Sequence, residues 1–165
     1  MKSEQVAEYQ IGNEAFNLRL AKMSDILDVL ELSNSNYVRK YSISQKEIKL
    51  DEHKKWFASA INNGNLIYLV VQNSADEFVG QVRFDLTKSG WTVSISIKQE
   101  FAGKGIGYFA LVSGASYACK ISSQPIFALV SPDNIPSQKL FSKAGFEFVE
   151  NLKIDTKDFQ KYKLI

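Results

Sequence analysis

Apolar positions alternate with polar ones in some stretches and recur every third or fourth residue in others, and the switching between the two periods sets out the elements. Phe16-Asn17-Leu18-Arg19-Leu20 alternates and predicts a first strand. Ser24 stands where an N-cap opens a helix running to about Leu32, with Ile26, Leu27 and Leu30 on one face and Asp25 near the positive end. Residues 33–41 are polar and aromatic and read as a loop. Ser44 and Glu47 have capping-box spacing, with Ile43 and Ile48 placed as a hydrophobic staple. From Asp51 onward Trp56, Phe57, Ala60 and Ile61 form a helical stripe, which Asn62-Asn63-Gly64 ends. Residues 66–71, 78–86 and 91–97 then predict a meander of three strands, with turns at 72–76 and 87–90.

Glycines follow at positions 103, 105 and 107, and a helical pattern covers 108–120. Residues 126–130 are wholly apolar, as in a strand buried on both faces. Pro132-Asp133-Asn134 starts another helix, which tolerates Pro136 in its first turn and ends at Lys143-Ala144 with Gly145 as a left-handed cap. Residues 146–149 and 159–164 close the chain as strands. The polar, aperiodic residues 1–15 read as a loose arm or an added β-element before a single domain over 16–165. The order βααβββαβαββ predicts an α+β fold whose mixed, mostly antiparallel sheet has about seven strands flanked by about four helices.

Composition narrows the function classes. The 165 residues carry 45% apolar and 23% charged side chains, ordinary values for a folded domain. Twenty basic side chains against 18 acidic ones leave a net charge of +2, which does not point to nucleic acid or a membrane surface. No apolar run approaches the roughly 20 residues that cross a bilayer. The opening Met1-Lys2-Ser3-Glu4-Gln5 lacks the apolar core of a signal peptide, and the single cysteine, Cys119, allows no internal disulfide. Both features suggest a cytoplasmic protein. Among Ala115, Tyr117, Ala118 and Ile121, Cys119 reads as a buried, inert thiol.

The most informative stretch runs from Ser94 to Gly107. A strand ends, three glycines follow at alternate positions, and a helix opens. Such a junction gathers backbone N–H groups at the positive end of a helix and suits a phosphate or pyrophosphate. The glycine spacing does not fit the dinucleotide fingerprint, and no Gly-Lys-Ser/Thr follows, as a P-loop requires. The turn resembles the R/Q-x-x-G-x-G/A turn that holds the coenzyme A pyrophosphate in the GNAT superfamily of N-acetyltransferases. A second segment, Val130-x-x-x-Asn134-x-x-Ser137-x-x-Leu140-Phe141-x-x-x-Gly145-Phe146, is similar to the N-x-x-A/S-x-x-L-Y/F-x-x-x-G-F helix of that superfamily. Glu52-His53-x-x-Trp56-Phe57 and the run 80–85 further resemble bacterial enzymes that acetylate amino groups of nucleotide-activated deoxysugars for pseudaminic acid or surface polysaccharide. Two positions depart from the pattern. Ala102 stands where Arg or Gln usually opens the turn, and Phe141 where many members carry the tyrosine that protonates the leaving thiolate.

The resemblance implies acetyl-CoA as cofactor, transfer directly to a primary amine in a ternary complex, and a monomer or homodimer, with no metal. It further implies that the amides of Ile95 and Ile97 face the pantetheine arm and that those of Gly103, Lys104, Gly105, Ile106, Gly107 and Tyr108 cradle the pyrophosphate. Asn134 would bond the pantetheine or the adenosine side, or serve simply as N-cap. Ser137 would reach the sulfur or be a small packing residue, and Phe141 would lie along the thioester. His53, the only histidine and the only side chain with an unperturbed pKa near neutrality, is the leading candidate base or else a polar residue at a helix edge. Asp85 is the second candidate, sharing a strand face with Gln81 and Arg83 by the period of two. Tyr37, Arg39 and Tyr41, with Arg83, are candidates for holding a sugar and its diphosphate, unless the loop is merely solvated. A protein N-terminus, an antibiotic amine, or a non-catalytic acyl-CoA-binding role are the alternatives.

Overall fold

The alternating stretches become strands and the longer-period stretches helices. A computed structural model describes residues 4–165. Strands β1 (Gln5–Ile11) and β2 (Glu14–Leu20) are followed by helices α1 (Ile26–Asn34), α2 (Asn36–Arg39) and α3 (Leu50–Ala60). The meander β3 (Leu66–Asn73), β4 (Phe78–Thr87) and β5 (Gly90–Ile97) leads into α4 (Ile106–Ile121). Strand β6 (Ile126–Val130), helix α5 (Ile135–Lys143) and the hairpin β7 (Phe146–Ile154) and β8 (Lys157–Leu164) complete the chain. The strands form one sheet in the order β1-β2-β3-β4-β5-β6-β8-β7. Every pairing is antiparallel except β5 with β6. The fold is the expected mixed α+β arrangement, with eight strands and five α-helices among the described residues rather than seven and four.

Alternation in β3 and β4 sorts side chains onto the two faces. Leu69, Val71, Val82 and Phe84 point into the larger core with Ile106, Ala110 and Leu111 of α4. Tyr68 and Val70 point the other way, where Val29 and Leu32 of α1 and Phe57 of α3 cover them. Burying large apolar side chains is worth about 1.5–3 kcal/mol each, so the two faces rather than local propensity hold the helices in place. No helix among the described residues is long and apolar enough to cross a membrane.

Several local expectations are corrected. Of the two readings of the first residues, the added β-element holds and the loose arm does not: residues 5–11 form an edge strand on β2, and Tyr9 stacks on Phe109 of α4 at 4.9 Å between ring centroids. Residues 1–3 of that arm lie outside the described residues. Asp25, not Ser24, organises the start of α1. Its carboxylate accepts the N–H of Lys22 at 2.8 Å and a two-pronged pair of bonds from Arg19, each 2.8 Å, all in a buried position. The capping box at Ser44 and Glu47 does not form, and the helix begins only at Leu50. Asn34 exchanges hydrogen bonds with both backbone groups of Ile48, and Arg39 donates to the carbonyls of Ser44 and Lys46. These contacts take groups that a helix there would need. The expected loop over 33–41 contains the short α2. Cys119 is exposed rather than buried, because the inward arc of α4 runs through Ala115 and Ala118 and leaves the next residue outside.

The last hairpin turns without glycine, through Asp155 (φ 47°) and Thr156 (φ 70°). Positive φ at both central positions is the type I′ hairpin, and a β-branched residue there is the most strained. Thr156→Gly is expected to raise stability by about 1 kcal/mol in denaturant titration, the relieved strain exceeding the added chain entropy. An unchanged or lower midpoint would contradict this.

Candidate active site

The first half of the site is a gap in the sheet. Parallel pairing of β5 with β6 covers only Trp91↔Ile126, Thr92↔Phe127 and Val93↔Ala128, after which the strands part. The Trp91 N–H donates to the Pro125 carbonyl at 2.8 Å, and that of Lys98 donates to Val79 on the opposite side at 2.9 Å. By the period of two, the N–H groups of Val93, Ile95 and Ile97 face the β6 side. Those of Ile95 and Ile97 lie beyond the last pairing, so they open into the gap, as an amide-bearing arm laid along β5 would require.

At the end of β5 the chain makes one 3-10 turn over Gln99–Phe101 and enters the glycine turn. Gly103 and Gly105 have φ of 77° and 84°, the left-handed region that a Cβ disfavours. Nothing lies within 4 Å of where a Cβ on Gly103 would point, so the turn's outer side is open to a ligand. The first amides of α4 point outward from its N-terminus, unpaired as at every helix start. Gly107 faces Ile97 and Leu140, which places the start of α4 against both β5 and α5. Lys104 is exposed, its ammonium 5.6 Å from the Phe101 ring centroid. Lys143 of α5, which the sequence did not single out, sits 4.8 Å from the Tyr108 ring centroid and brings a second cation to this end.

Helix α5 forms the other wall. The Asn134 side chain accepts the Ser137 N–H at 3.3 Å, so its N-cap role is realised, and its Nδ2 is left for other partners. Ser137 is half-buried on the first turn. Phe141, in contrast, is 3% exposed and meets Phe146 edge-on at 5.0 Å. It braces the wall from inside the core and does not offer a ring face to the gap.

The second half is a cleft of about 230 Å³ on the α1/α3 face of the sheet, lined by Ser33, Arg39, Ile48, Glu52, His53, Trp56, Tyr68 and Arg83. The structure therefore brings His53, Arg39 and Arg83 together. Arg83 donates its Nε to Asp85 at 2.8 Å and lies 5.2 Å from the Trp56 ring centroid. Its two Nη groups have no acceptor among the described residues and remain for a ligand. Asp85, the second candidate base, is committed to orienting Arg83. On the same face, Tyr68 and Gln81 form one hydrogen-bonded unit with Ser33. Sequence reasoning missed Ser33 and Tyr68. Only the register Tyr68↔Arg83 between β3 and β4 brings the tyrosine to the cleft.

His53 is 3% exposed and its Nε2 lies 2.8 Å from the Ile26 carbonyl. A carbonyl only accepts, so Nε2 carries the proton and Nδ1 is left as a free acceptor. Burial lowers the imidazole pKa from 6.5, against the opposing pull of the Ile26 carbonyl. The ring is thus neutral at physiological pH and both ties α3 to α1 and borders the cleft. Arg39 borders it too, but its Nε donates to the carbonyl of Ser33 (2.6 Å) and its Nη1 to those of Ser44 (2.9 Å) and Lys46 (3.4 Å). Its main work is to hold the loop before α3. Tyr37 and Tyr41 are half-buried on and after α2 and do not line the cleft; the Tyr41 ring is covered by Lys40 at 4.7 Å. The two halves adjoin, because Gln81 and Arg83 of β4 pair with Ser96 and Ser94 of β5.

The family model described as an acetyltransferase (GNAT) domain matches residues 16–147. YwnH of Bacillus subtilis (strain 168), provisionally named a phosphinothricin acetyltransferase, is 27% identical over 137 residues, covering 78% of this chain and 82% of that protein. Among solved structures, spermidine N-acetyltransferase from Vibrio cholerae in complex with CoA and spermine superposes with a TM-score of 0.81 at 19% identity, over 90% of this chain and 94% of that one. Mycobacterium smegmatis RimJ in complex with CoA-disulfide gives 0.83 at 17% identity, over 99% and 88%. At these identities the structures attest the fold.

Two outcomes follow from this geometry. Gly105→Val forces a branched side chain into φ 84° and is expected to weaken coenzyme A binding at least tenfold by calorimetry while circular dichroism stays native; unchanged affinity would count against the turn. Because the folded pKa of His53 is lowered, the unfolded chain takes up a proton first as pH falls through 6.5, and folding stability drops from there down to the folded value. Above 6.5 both states are neutral and this contribution is fully present. The urea midpoint should therefore decline as pH falls below 6.5, and decline less in His53→Gln. Equal slopes in both proteins would refute the buried neutral imidazole.

Proposed function

The chain belongs to the GNAT acetyltransferases, and from that membership we propose that its acceptor is a small primary amine carrying an anionic group, held in the cleft by Arg83. The protein is an acetyl-CoA-dependent N-acetyltransferase. The observation that carries the acceptor reading is the guanidinium of Arg83, fixed by Asp85 and Trp56 with both Nη groups unengaged. Such a fork matches a carboxylate, phosphinate or phosphate with two parallel bonds. Phosphinothricin, in the name of the Bacillus relative, is an amine of this kind. The nucleotide-linked amino-deoxysugar expected from the sequence is a larger member of the same class, its diphosphate supplying the anion. Arg39 lends that larger acceptor less support than expected, since its Nε and Nη1 serve backbone carbonyls and only Nη2 is unengaged among the described residues. A cytoplasmic site of action and a monomer or homodimer belong to the same proposal.

The residues divide the chemistry between them. Acetyl-CoA supplies an acetyl group activated as a thioester. The amides of Ile95 and Ile97 and of the glycine turn would hold the cofactor, with Asn134 and Ser137 on the facing wall. Holding the amine beside that thioester converts a bimolecular encounter into a local one, which is the largest contribution available without covalent chemistry. The acceptor nitrogen bonds to the acetyl carbon, the carbon–sulfur bond breaks, and one proton leaves the nitrogen. We assign its uptake to His53 through Nδ1, directly or through water. No tyrosine stands at position 141, so the thiolate leaves with protonation from Ser137 or solvent; thiols of pKa about 8.5 are good enough leaving groups for that.

Arg83→Ala is expected to lower kcat/KM roughly ten- to a hundredfold for phosphinothricin and for a nucleotide-linked 4-amino-deoxysugar, the loss of one charged hydrogen bond being worth about 1.5–3 kcal/mol. Spermidine turnover should not fall in parallel. A wild type that prefers spermidine or a peptide amine to both anionic acceptors would overturn the reading.

A further inference from the structure

Tyr68 and Ser33, which both line the cleft, are joined through the buried Gln81 by a chain of two hydrogen bonds. Tyr68 donates its hydroxyl to the Oε1 of Gln81, and Gln81 donates its Nε2 to the Oγ of Ser33 at 3.2 Å. The direction follows from the chemistry of the groups. An amide oxygen cannot donate, so the phenol must; the amide nitrogen cannot accept, so the serine oxygen must. Tyr68 and Gln81 are 5% and 9% exposed, and burial raises the phenol pKa far above its usual value despite the neighbouring Arg83. The phenol keeps its proton at physiological pH, so with the amide oxygen of Gln81 toward it Tyr68 is the donor of this pair. The far end of the chain is the Ser33 hydroxyl hydrogen, which has no acceptor among the described residues and belongs to a residue lining the cleft.

We infer that Ser33 is a specificity-determining contact for the acceptor, a hydroxyl whose proton is left to take a second oxygen of the substrate, and that Tyr68 and Gln81 are its positioning residues. Polarised along the chain in a poorly solvated setting, the Ser33 hydrogen bond is stronger than that of a lone serine. A neutral or anionic oxygen near the reacting amine satisfies it, and an acceptor without one leaves the hydroxyl unpaired, which is the costly case. Arg83 and Ser33 together make a two-point clamp that selects amines with an anion at one position and an oxygen acceptor at another. An α-amino acid with an anionic side chain meets both demands, as does an amino sugar with a ring hydroxyl beside its amine. This inference rests on the cleft being the acceptor site.

The test uses two probes that keep the amine and the phosphinate and differ in the carboxylate: phosphinothricin and (3-aminopropyl)methylphosphinate. The readout is the ratio of their kcat/KM values in wild type, Ser33→Ala, Tyr68→Phe and the double variant, with the KM for acetyl-CoA measured alongside. The wild type should prefer phosphinothricin. That preference should fall about three- to tenfold in each single variant and hardly further in the double one, since one chain is broken twice, while the acetyl-CoA KM stays put. A preference unchanged in Ser33→Ala, or losses that multiply in the double variant, would overturn the relay alone. A wild type active on spermidine but on neither phosphinate would overturn the reading of the cleft, and the relay with it.

Discussion

Parallel pairing between β5 and β6 stops after three registers, and the consequences of that early stop reach every part of the site. Backbone N–H groups in the middle of a sheet normally have partners, because leaving one unpaired away from water costs about 1–3 kcal/mol. Here the amides of Ile95 and Ile97 are withheld from the ladder on a strand whose other edge is fully paired to β4. The separation also admits the start of α4, where Gly107 lies between Ile97 and Leu140, and so fixes the glycine turn at the mouth of the gap. In the proposed reading, backbone geometry holds the cofactor, and the turn needs no Arg or Gln at position 102.

The acceptor side is built differently, from side chains on one strand face. Period-two alternation puts Gln81, Arg83 and Asp85 of β4 in line with Tyr68 of β3, and α1 and α3 close over them. The pair of Arg83 with Asp85 is about one-third exposed on each side, so it adds little to stability. Its effect is orientation. Trp56 and Asp85 restrict the guanidinium to one plane, so less rotamer freedom is lost when an anion arrives. In the proposed reading, a cleft with such groups, one strand away from the withheld amides, would hold an amine next to a thioester.

Much of this could be read from residue order, and the failures share a cause. The meander, the glycine turn and the α5 start rest on patterns that are local in the chain: alternation, left-handed glycines, an N-cap with proline in the first turn. What escaped depends on contacts between distant segments. β1 is too polar to announce itself and is held by β2 and by Tyr9 on Phe109. The capping box at Ser44 fails because Asn34 and Arg39 reach across to the groups it would have used. Ser33 and Tyr68, 35 positions apart in the numbering, meet only through Gln81. Arg39 lines the cleft yet commits two of its three nitrogens to backbone carbonyls, and Phe141, expected along the thioester, packs on Phe146. The last turn hides its left-handed pair because Thr156, a β-branched residue, stands where sequence rules expect glycine after Asp155.

The most direct measurement of the central claim is an amide-resolved NMR titration of the 15N-labelled protein with coenzyme A. The account predicts the largest chemical-shift changes at Ile95, Ile97, Gly103, Gly105 and Gly107, together with slowed hydrogen exchange at Ile95 and Ile97, with the hairpin β7–β8 unaffected. Shifts that bypass β5 and gather elsewhere, for instance along the outer face of α4 around Val112 and Cys119, would contradict it.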